Sequence, residues 1–401
     1  MKKMERVTRV KKLLTWMFMF LILLIPRMAA AQTDMPMEEG TPFGITSPSA
    51  VLMEASTGRI IFEKNAQERR PVASVTKVMT ILLTLEAIDE GRVSVEDSVS
   101  VSAHAAGMGG SQAFLDAGSS YKLGELLKSV IIASANDSAV ALAEHLCGAE
   151  EAFVRRMNER AQELGLRDTC YVNCTGLPAN GHYMSAGDVA RLSAQLDRHP
   201  LYYRYSTIWM EDFAHKGGRV TGLTNTNRLI RFYPGCDGYK TGSTNEARYC
   251  ISATAKKDGM RLIAVVLGTD SSQSRFQEAR AMLEYGFAGY HIFTPVSAGD
   301  SLGMAVPVRM GGSDEVSAVS GGDVQLLMKK GEESRIALEA ALVSDVAAPV
   351  RRGDVIGEVR VKMDGQILTT VPAQAGETVE LPGFLNALLR IRDRFMFRGR
   401  K

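Results

Sequence analysis

Hydrophobic and polar positions change texture four times along the chain. Leu13 to Pro26 is a short apolar run broken only by Thr15. From Ser49 to about Tyr290, helix-period and strand-period segments alternate. Ala50–Ala55 and Arg59–Glu63, joined by Ser56-Thr57-Gly58, predict a hairpin. Val78, Ile81, Leu82, Leu85 and Ile88 recur at helical spacing, so Pro71 to Glu90 predicts a helix ending before Gly91, apolar enough to be buried. Helices are also predicted over 121–133, 138–146, 150–164 and 274–289. Arg248–Ala255 and Leu262–Gly268 predict a second hairpin around Lys256-Lys257-Asp258-Gly259. After Pro295 come short alternations such as Val306/Val308, Leu326/Met328 and Val359/Val361/Met363, punctuated by Gly, Asp and Pro. These predict a small all-β domain with no helix-length pattern before residue 384.

The two ends read differently. Residues 1–12 carry six Lys/Arg against Glu5, the apolar run follows, and Ala29-Ala30-Ala31 gives a small-residue exit before Gln32. That order predicts a secretory signal over 1–31, because a run of 14 is short of the ~20 residues a membrane span needs. At the other end Phe384, Leu385, Leu388, Leu389, Ile391, Phe395 and Met396 cluster on one side of a helical wheel, with Arg residues on most of the rest. A basic amphipathic helix after Pro382-Gly383 predicts attachment to an anionic membrane surface through 384–401. The expected organisation is signal 1–31, linker 32–48, mixed domain 49–290, β-domain 291–383 and terminal helix 384–401.

The overall charge of +2 on 401 residues hides these regions. Setting aside the seven basic and one acidic residue of 1–31 leaves 40 basic and 44 acidic, net −4. The last 18 residues are net +5, so the body from 32 to 383 is net −9. An acidic body argues against a nucleic-acid partner, since phosphate binding needs a basic face. Five cysteines leave at least one unpaired within the chain, and no spacing suggests zinc ligation, so no metal and no cofactor are expected. Most of the cysteines are expected to be small core fillers.

Three short motifs stand in order: Ser74-Val-Thr-Lys77, Ser134-Ala-Asn136 and Lys240-Thr241-Gly242. Residues three apart on a helix share a face, so the Lys77 ammonium can sit beside the Ser74 hydroxyl. A serine is a poor nucleophile until a base takes its proton. A lysine can be that base once burial and nearby positive charge lower its pKa, and Lys240 could supply that charge. Alone, each motif is weak. Ser119-Ser-Tyr-Lys122 repeats the first, read as turn and cap chemistry, and Ser243-Thr-Asn245 repeats the second. Bland readings exist for each: N-cap serines at 74 and 134, a solvated strand charge at 240. They do not explain a lysine among Val78, Met79, Ile81 and Leu82, where an unpaired charge is costly.

Together the motifs resemble the penicillin-recognising serine enzymes. Further stretches sharpen the likeness to secreted D-alanyl-D-alanine carboxypeptidases, the low-molecular-mass penicillin-binding proteins: Ala50–Ala55, Pro71–Thr80, Ser134–Ala139, Asn173-Cys-Thr-Gly-Leu177, His182-Tyr-Met-Ser-Ala-Gly-Asp188 and Asp237–Gly242. The resemblance implies an α/β (α+β) domain with an antiparallel sheet flanked by helices, then a small all-β domain and a terminal amphipathic helix. It implies Ser74 as nucleophile on the penultimate D-Ala carbonyl, Lys77 as general base and Ser134 as proton relay to the leaving amine. Asn136 would hold the substrate amide, Lys240 and Thr241 of the Lys240-Thr241-Gly242 strand the terminal carboxylate, and the N–H groups of Ser74 and Ser243 the oxyanion. The implied partner is a peptidoglycan stem peptide ending in D-Ala-D-Ala, with β-lactams as covalent inhibitors. Ala135, Ser243 and Arg248 depart from the common pattern and bear on substrate preference. A β-lactamase would need a second base, and no ExxLN-like segment stands between Asn136 and Lys240. A DD-endopeptidase would use the same residues, and a non-catalytic peptidoglycan-binding protein would keep the fold without the complete motif set.

Overall fold

The computed structural model describes residues 44–383. The expected signal 1–31, most of the linker 32–48 and the terminal helix 384–401 lie outside the described residues. The described residues form two compact units, the larger built from 44–294 with 325–333 and the smaller from 295–324 with 334–383.

In the larger unit, five strands, of which the central Met260–Thr269 is apolar over most of its length, form an antiparallel sheet. Its order is Ile60–Lys64, Ser49–Glu54, Met260–Thr269, Arg248–Lys257, Cys236–Thr244. Successive side chains on a strand point to opposite faces, and here both faces are covered. Val51, Met53, Ile263, Val265 and Leu267 join the helical core on one side. Ala50, Leu52, Leu262, Ala264 and Val266 pack on the other with Ala279, Met282 and Leu283 of helix Ser272–Gly289. This burial on both faces accounts for runs such as 262–268 that read as apolar rather than alternating. Both predicted hairpins are present.

Helix Lys77–Asp89 is buried over nearly its whole length and packs against helices Leu123–Ile132, Asn136–Cys147, Glu150–Glu163 and Ala186–Gln195. The pattern predicted one helix from residue 71. The structure instead starts with a 3₁₀ turn, Ala73–Thr76, before the α-helix begins at Lys77. Tyr121, expected in a helix, lies in the short strand Ser120–Lys122, paired with Ser98–Ser100. Helix Ala186–Gln195 and the hairpin Met210–Ala214/Val220–Thr224 were not predicted. The hairpin buries little beyond Phe213 and Leu223, too few positions for a period to show.

The smaller unit carries a six-stranded sheet in the order Ile336–Leu342, Val355–Met363, Gln366–Ala375, Glu315–Ser320, Ser301–Arg309, Val346–Ala347. Its core is Val306, Val308, Val316, Ala318, Val350, Ile356, Ala375 and Val379. One stretch differs from a boundary at 290: Gln325–Glu333 belongs to the larger unit. There Leu327 is buried in the sheet's second core, and its carbonyl accepts from Arg59 Nη1 at 3.3 Å.

All five cysteines are free thiols; Cys174, Cys236 and Cys250 are buried, while Cys147 is exposed. Among the described residues no cluster of His, Cys, Asp or Glu could hold a metal ion, and no helix is long and apolar enough to cross a membrane.

Candidate active site

Ser74 sits in the 3₁₀ turn, where Ala73 before it adopts a left-handed φ of 48°. Two glycines make room for this strained turn. Gly176 has φ +81°, and a Cβ there would lie 1.9 Å from the carbonyl oxygen of Ala73. A Cβ on Gly242 would lie 2.6 Å from Val72 O and 2.9 Å from the Ser74 nitrogen. The Lys240-Thr241-Gly242 strand therefore runs with bare backbone against the Ser74 turn, which only glycine at 242 permits.

Lys77 opens the buried helix and is wholly inaccessible. Its Nζ reaches Ser74 Oγ at 3.0 Å, Asn136 Oδ1 at 2.6 Å and the Thr175 carbonyl at 2.7 Å. Burial lowers its pKa from 10.5 to about 7, against weaker upward pulls from Cys174 and Asp137. A neutral amine has two N–H donors and one lone pair. Asn136 Oδ1 and the Thr175 carbonyl can take the two donors, which leaves the lone pair for the Ser74 hydroxyl proton. This arrangement makes a general base out of a lysine.

The second motif follows helix Leu123–Ile132. Ser134 is buried in a left-handed conformation (φ 63°), and its Oγ has no hydrogen-bond partner. It is not a cap: Ala135 is the N-cap residue of helix Asn136–Cys147 and makes no side-chain cap bond. Asn136 donates from Nδ2 to Gly109 O at 2.7 Å and from its backbone to Ser111 O at 2.7 Å. Its neighbour Asp137 accepts from Ala113 N and Leu115 N, both at 3.0 Å, and fixes the 109–115 loop over the site.

Lys240 is buried on the edge strand Cys236–Thr244, and its Nζ donates to the Thr241 carbonyl at 3.2 Å. Burial, and then the charges of Lys77 and Arg275, push its pKa well below the usual lysine value. Arg275 donates to Gly242 O at 3.0 Å and bears on the strand from helix Ser272–Gly289. Among the described residues no carboxylate is bonded to Lys77, Lys240 or Arg275, so the basic side chains gathered here favour an anion. Thr241 is buried beside Lys240, and Ser243 is exposed at the strand's end.

The structure thus brings Ser74, Lys77 and Asn136 into direct contact, sets Gly242 against the Ser74 turn, and leaves Ser134 with a free buried hydroxyl. The competing motifs lie elsewhere. Lys122 pairs with Glu96 at the surface, and Asn245 lies in the exposed turn after Thr244. Arg248, also left-handed, pairs with Asp270 at the surface. Sequence reasoning gave no site role to Asn173, Asp137, His182 or Arg275. Asn173 Oδ1 accepts from Thr175 N at 3.2 Å, Thr175 Oγ1 at 3.1 Å and Gly176 N at 2.7 Å, which turns the Thr175 carbonyl toward Lys77. His182 accepts from Val172 N on Nδ1, so its Nε2 carries the proton toward Thr76 Oγ1 at 2.8 Å. Asn173-Cys-Thr-Gly was the one available signal, a polar stretch whose glycine follows a side chain able to fold a turn.

A family model described as D-alanyl-D-alanine carboxypeptidase matches residues 35–271, and one described as penicillin-binding protein 5, C-terminal domain, matches 290–381. The D-alanyl-D-alanine carboxypeptidase DacF of Bacillus subtilis is 40% identical over 343 residues, covering 85% of this chain and 88% of that protein. The D-alanyl-D-alanine carboxypeptidase DacC of Escherichia coli is 32% identical over 342 residues, covering 83% and 84%. Penicillin binding protein 5 from Haemophilus influenzae, a crystal structure, aligns with a TM-score of 0.72 at 31% identity, covering 85% of this chain and 99% of that one. On motifs, fold and relatives alike, this chain belongs to the serine D-alanyl-D-alanine carboxypeptidase family.

Proposed function

We propose that this enzyme removes the terminal D-Ala from peptidoglycan stem peptides through an acyl-enzyme on Ser74. The observation that carries the reading is the Lys77 Nζ held between Ser74 Oγ and two oxygen acceptors in a buried site. Lys77, about half of it neutral at pH 7, takes the Ser74 proton in its neutral form as Oγ bonds to the penultimate D-Ala carbonyl carbon. The negative charge that develops on the carbonyl oxygen falls to the N–H groups of Ser74 and Ser243. Ser134 passes a proton to the D-Ala nitrogen as the C–N bond breaks. Its unbonded buried hydroxyl supports that role, since substrate would supply the partner it lacks. Asn136 holds the substrate amide, and Lys240 and Thr241 hold the terminal carboxylate. Water then attacks the ester and releases the trimmed peptide and Ser74. A β-lactam carbonyl would acylate the same oxygen.

The enzyme is further proposed to be exported by residues 1–31 and held on the outer face of the cytoplasmic membrane by 384–401. The charge and apolar order of those segments support this. Deleting 384–401 should abolish pelleting with anionic vesicles; pelleting equal to that of the chain from Gln32 to Lys401 would refute it.

The catalytic reading is tested with fluorescent penicillin and a D-Ala release assay on the chain from Gln32 to Gly383. The parent and Ser119→Ala should label and release D-Ala, and Ser74→Ala should do neither. Labelling that survives in Ser74→Ala overturns the assignment.

A further inference from the structure

The loop that covers Asn136 holds an aromatic side chain outward at a conformational cost. Phe114 has φ +63° and is 57% exposed. A bulky residue in the left-handed region is rare, and such strain persists only where neighbours enforce it. Here they do. The N–H groups on either side, Ala113 and Leu115, bind the two oxygens of Asp137. The Phe114 carbonyl accepts from Arg219 Nη2 at 2.7 Å, and the same nitrogen reaches Asp116 Oδ1 at 2.7 Å. Arg219 stands at the tip of the Met210–Ala214/Val220–Thr224 hairpin, about a hundred residues away in sequence. That tip is itself pinned: His215 Nδ1 meets Tyr121 Oη at 3.0 Å, and its Nε2 meets Thr221 Oγ1 at 2.8 Å. Asp137 from a helix, Tyr121 from a short strand and Arg219 and His215 from the hairpin tip thus hold the backbone that leaves the Phe114 ring exposed, where folding alone gains nothing from it.

The location gives the ring a use. Ser111 O binds the Asn136 backbone and Gly109 O binds its side chain, while Asn136 Oδ1 touches Lys77. Three residues of chain span at most about 10 Å, so Phe114 lies within about that distance of Ser111. The side chain upstream of the D-Ala-D-Ala pair belongs to the residue directly before the one that carries the scissile carbonyl, a rise of about 3.3 Å in an extended peptide, and a long aliphatic chain reaches outward from there. We propose that Phe114 is a specificity-determining residue that contacts the aliphatic side chain upstream of the D-Ala-D-Ala pair, with Arg219 as its positioning residue. The inference rests on the carboxypeptidase reading above.

The experiment compares a diacetylated tripeptide, lysine followed by D-Ala-D-Ala, with N-acetyl-D-Ala-D-Ala, which keeps the scissile bond and lacks the upstream side chain. A ring of this size and accessibility is worth about a tenfold change in affinity. Phe114→Ala should lower the ratio of kcat/KM on the longer to the shorter peptide about tenfold, chiefly through KM. Phe114→Tyr should restore the ratio, and Arg219→Ala should lower it in part. Phe114→Leu reads the same ratio should the alanine variant unfold on heating below the assay temperature. A ratio unchanged in every variant, or equal losses on both peptides, overturns the inference. Release of D-Ala by the parent enzyme tests the carboxypeptidase reading separately, since that result does not depend on Phe114.

Discussion

Replacing Asn136 by Asp places a carboxylate where an amide oxygen now lies 2.6 Å from Lys77 Nζ, with almost no change in shape. In the parent enzyme burial holds the Lys77 pKa at about 7. The neutral fraction of that amine is then about one in eleven at pH 6 and about ten in eleven at pH 8, a roughly tenfold rise. If Lys77 is the base, the acylation rate constant for penicillin should rise by that factor over the same interval. An adjacent carboxylate favours the ammonium and should raise the midpoint of the rising limb by about 1–3 pH units. At pH 7 the variant should therefore acylate about 5- to 500-fold more slowly. The loss should shrink as the pH is raised, because the amine is still there to be deprotonated. Asn136→Asp also loses the donor to Gly109 O, and a pH-independent loss would report that effect instead. The assay is stopped-flow acylation by a fluorescent penicillin between pH 5.5 and 10. A parent rate that is flat from pH 6 to 8, or a variant-to-parent ratio that does not change with pH, would refute the role given to Lys77.

Three further outcomes follow from the same geometry. Gly176→Ala combines a left-handed φ with a Cβ 1.9 Å from Ala73 O, so it should cost about 2–5 kcal/mol, lower the thermal midpoint by about 5–15 °C and depress acylation; an unchanged midpoint would mean the Ser74 turn is not braced by this glycine. His182 is held neutral by burial with its pKa lowered from 6.5 to about 4, so the unfolded chain binds more protons between those values and stability must fall as pH drops through that window. Between pH 7 and 4 the parent should lose about 3 kcal/mol more than His182→Gln in urea unfolding, and parallel losses would count against it. Asp137→Ala leaves the Ala113, Leu115 and Ser138 N–H groups without their acceptor and should cost about 3 kcal/mol in the same measurement; a cost under about 1 kcal/mol would show that water replaces the carboxylate.

The parts of the site that lie close in sequence were legible. Lys77 follows Ser74 by three on a stretch too apolar for an idle charge, and the structure puts Lys77 Nζ 3.0 Å from Ser74 Oγ. The sheet was legible in its hairpins, because their turns interrupt apolar runs at Ser56-Thr57-Gly58 and Asp258-Gly259. What stayed hidden depends on long-range backbone contacts. The Thr175 carbonyl meets Lys77 across 98 residues, and a carbonyl carries no sequence signal. Asp137 stands in the first turn of its helix, yet its partners include N–H groups of a loop more than 20 residues earlier. The 3₁₀ start of the helix was hidden for a similar reason. Ala73 is forced left-handed beside Gly176, and nothing local to Pro71–Lys77 demands it.

The return of Gln325–Glu333 to the larger unit makes both units discontinuous along the chain. A single proteolytic nick near residue 290 would therefore not release a complete catalytic half, because Leu327 and its strand would leave with the other fragment. The same connectivity orders events during synthesis. The catalytic unit cannot close its second core until the ribosome has passed residue 333, well beyond the last site residue at 275. A nascent chain halted at 290 would have every group the chemistry needs and an incomplete scaffold beneath it. Shortening the β-region from its N-terminal side would accordingly disturb the enzyme itself, whereas residues 334 onward can be altered without removing any part of that core.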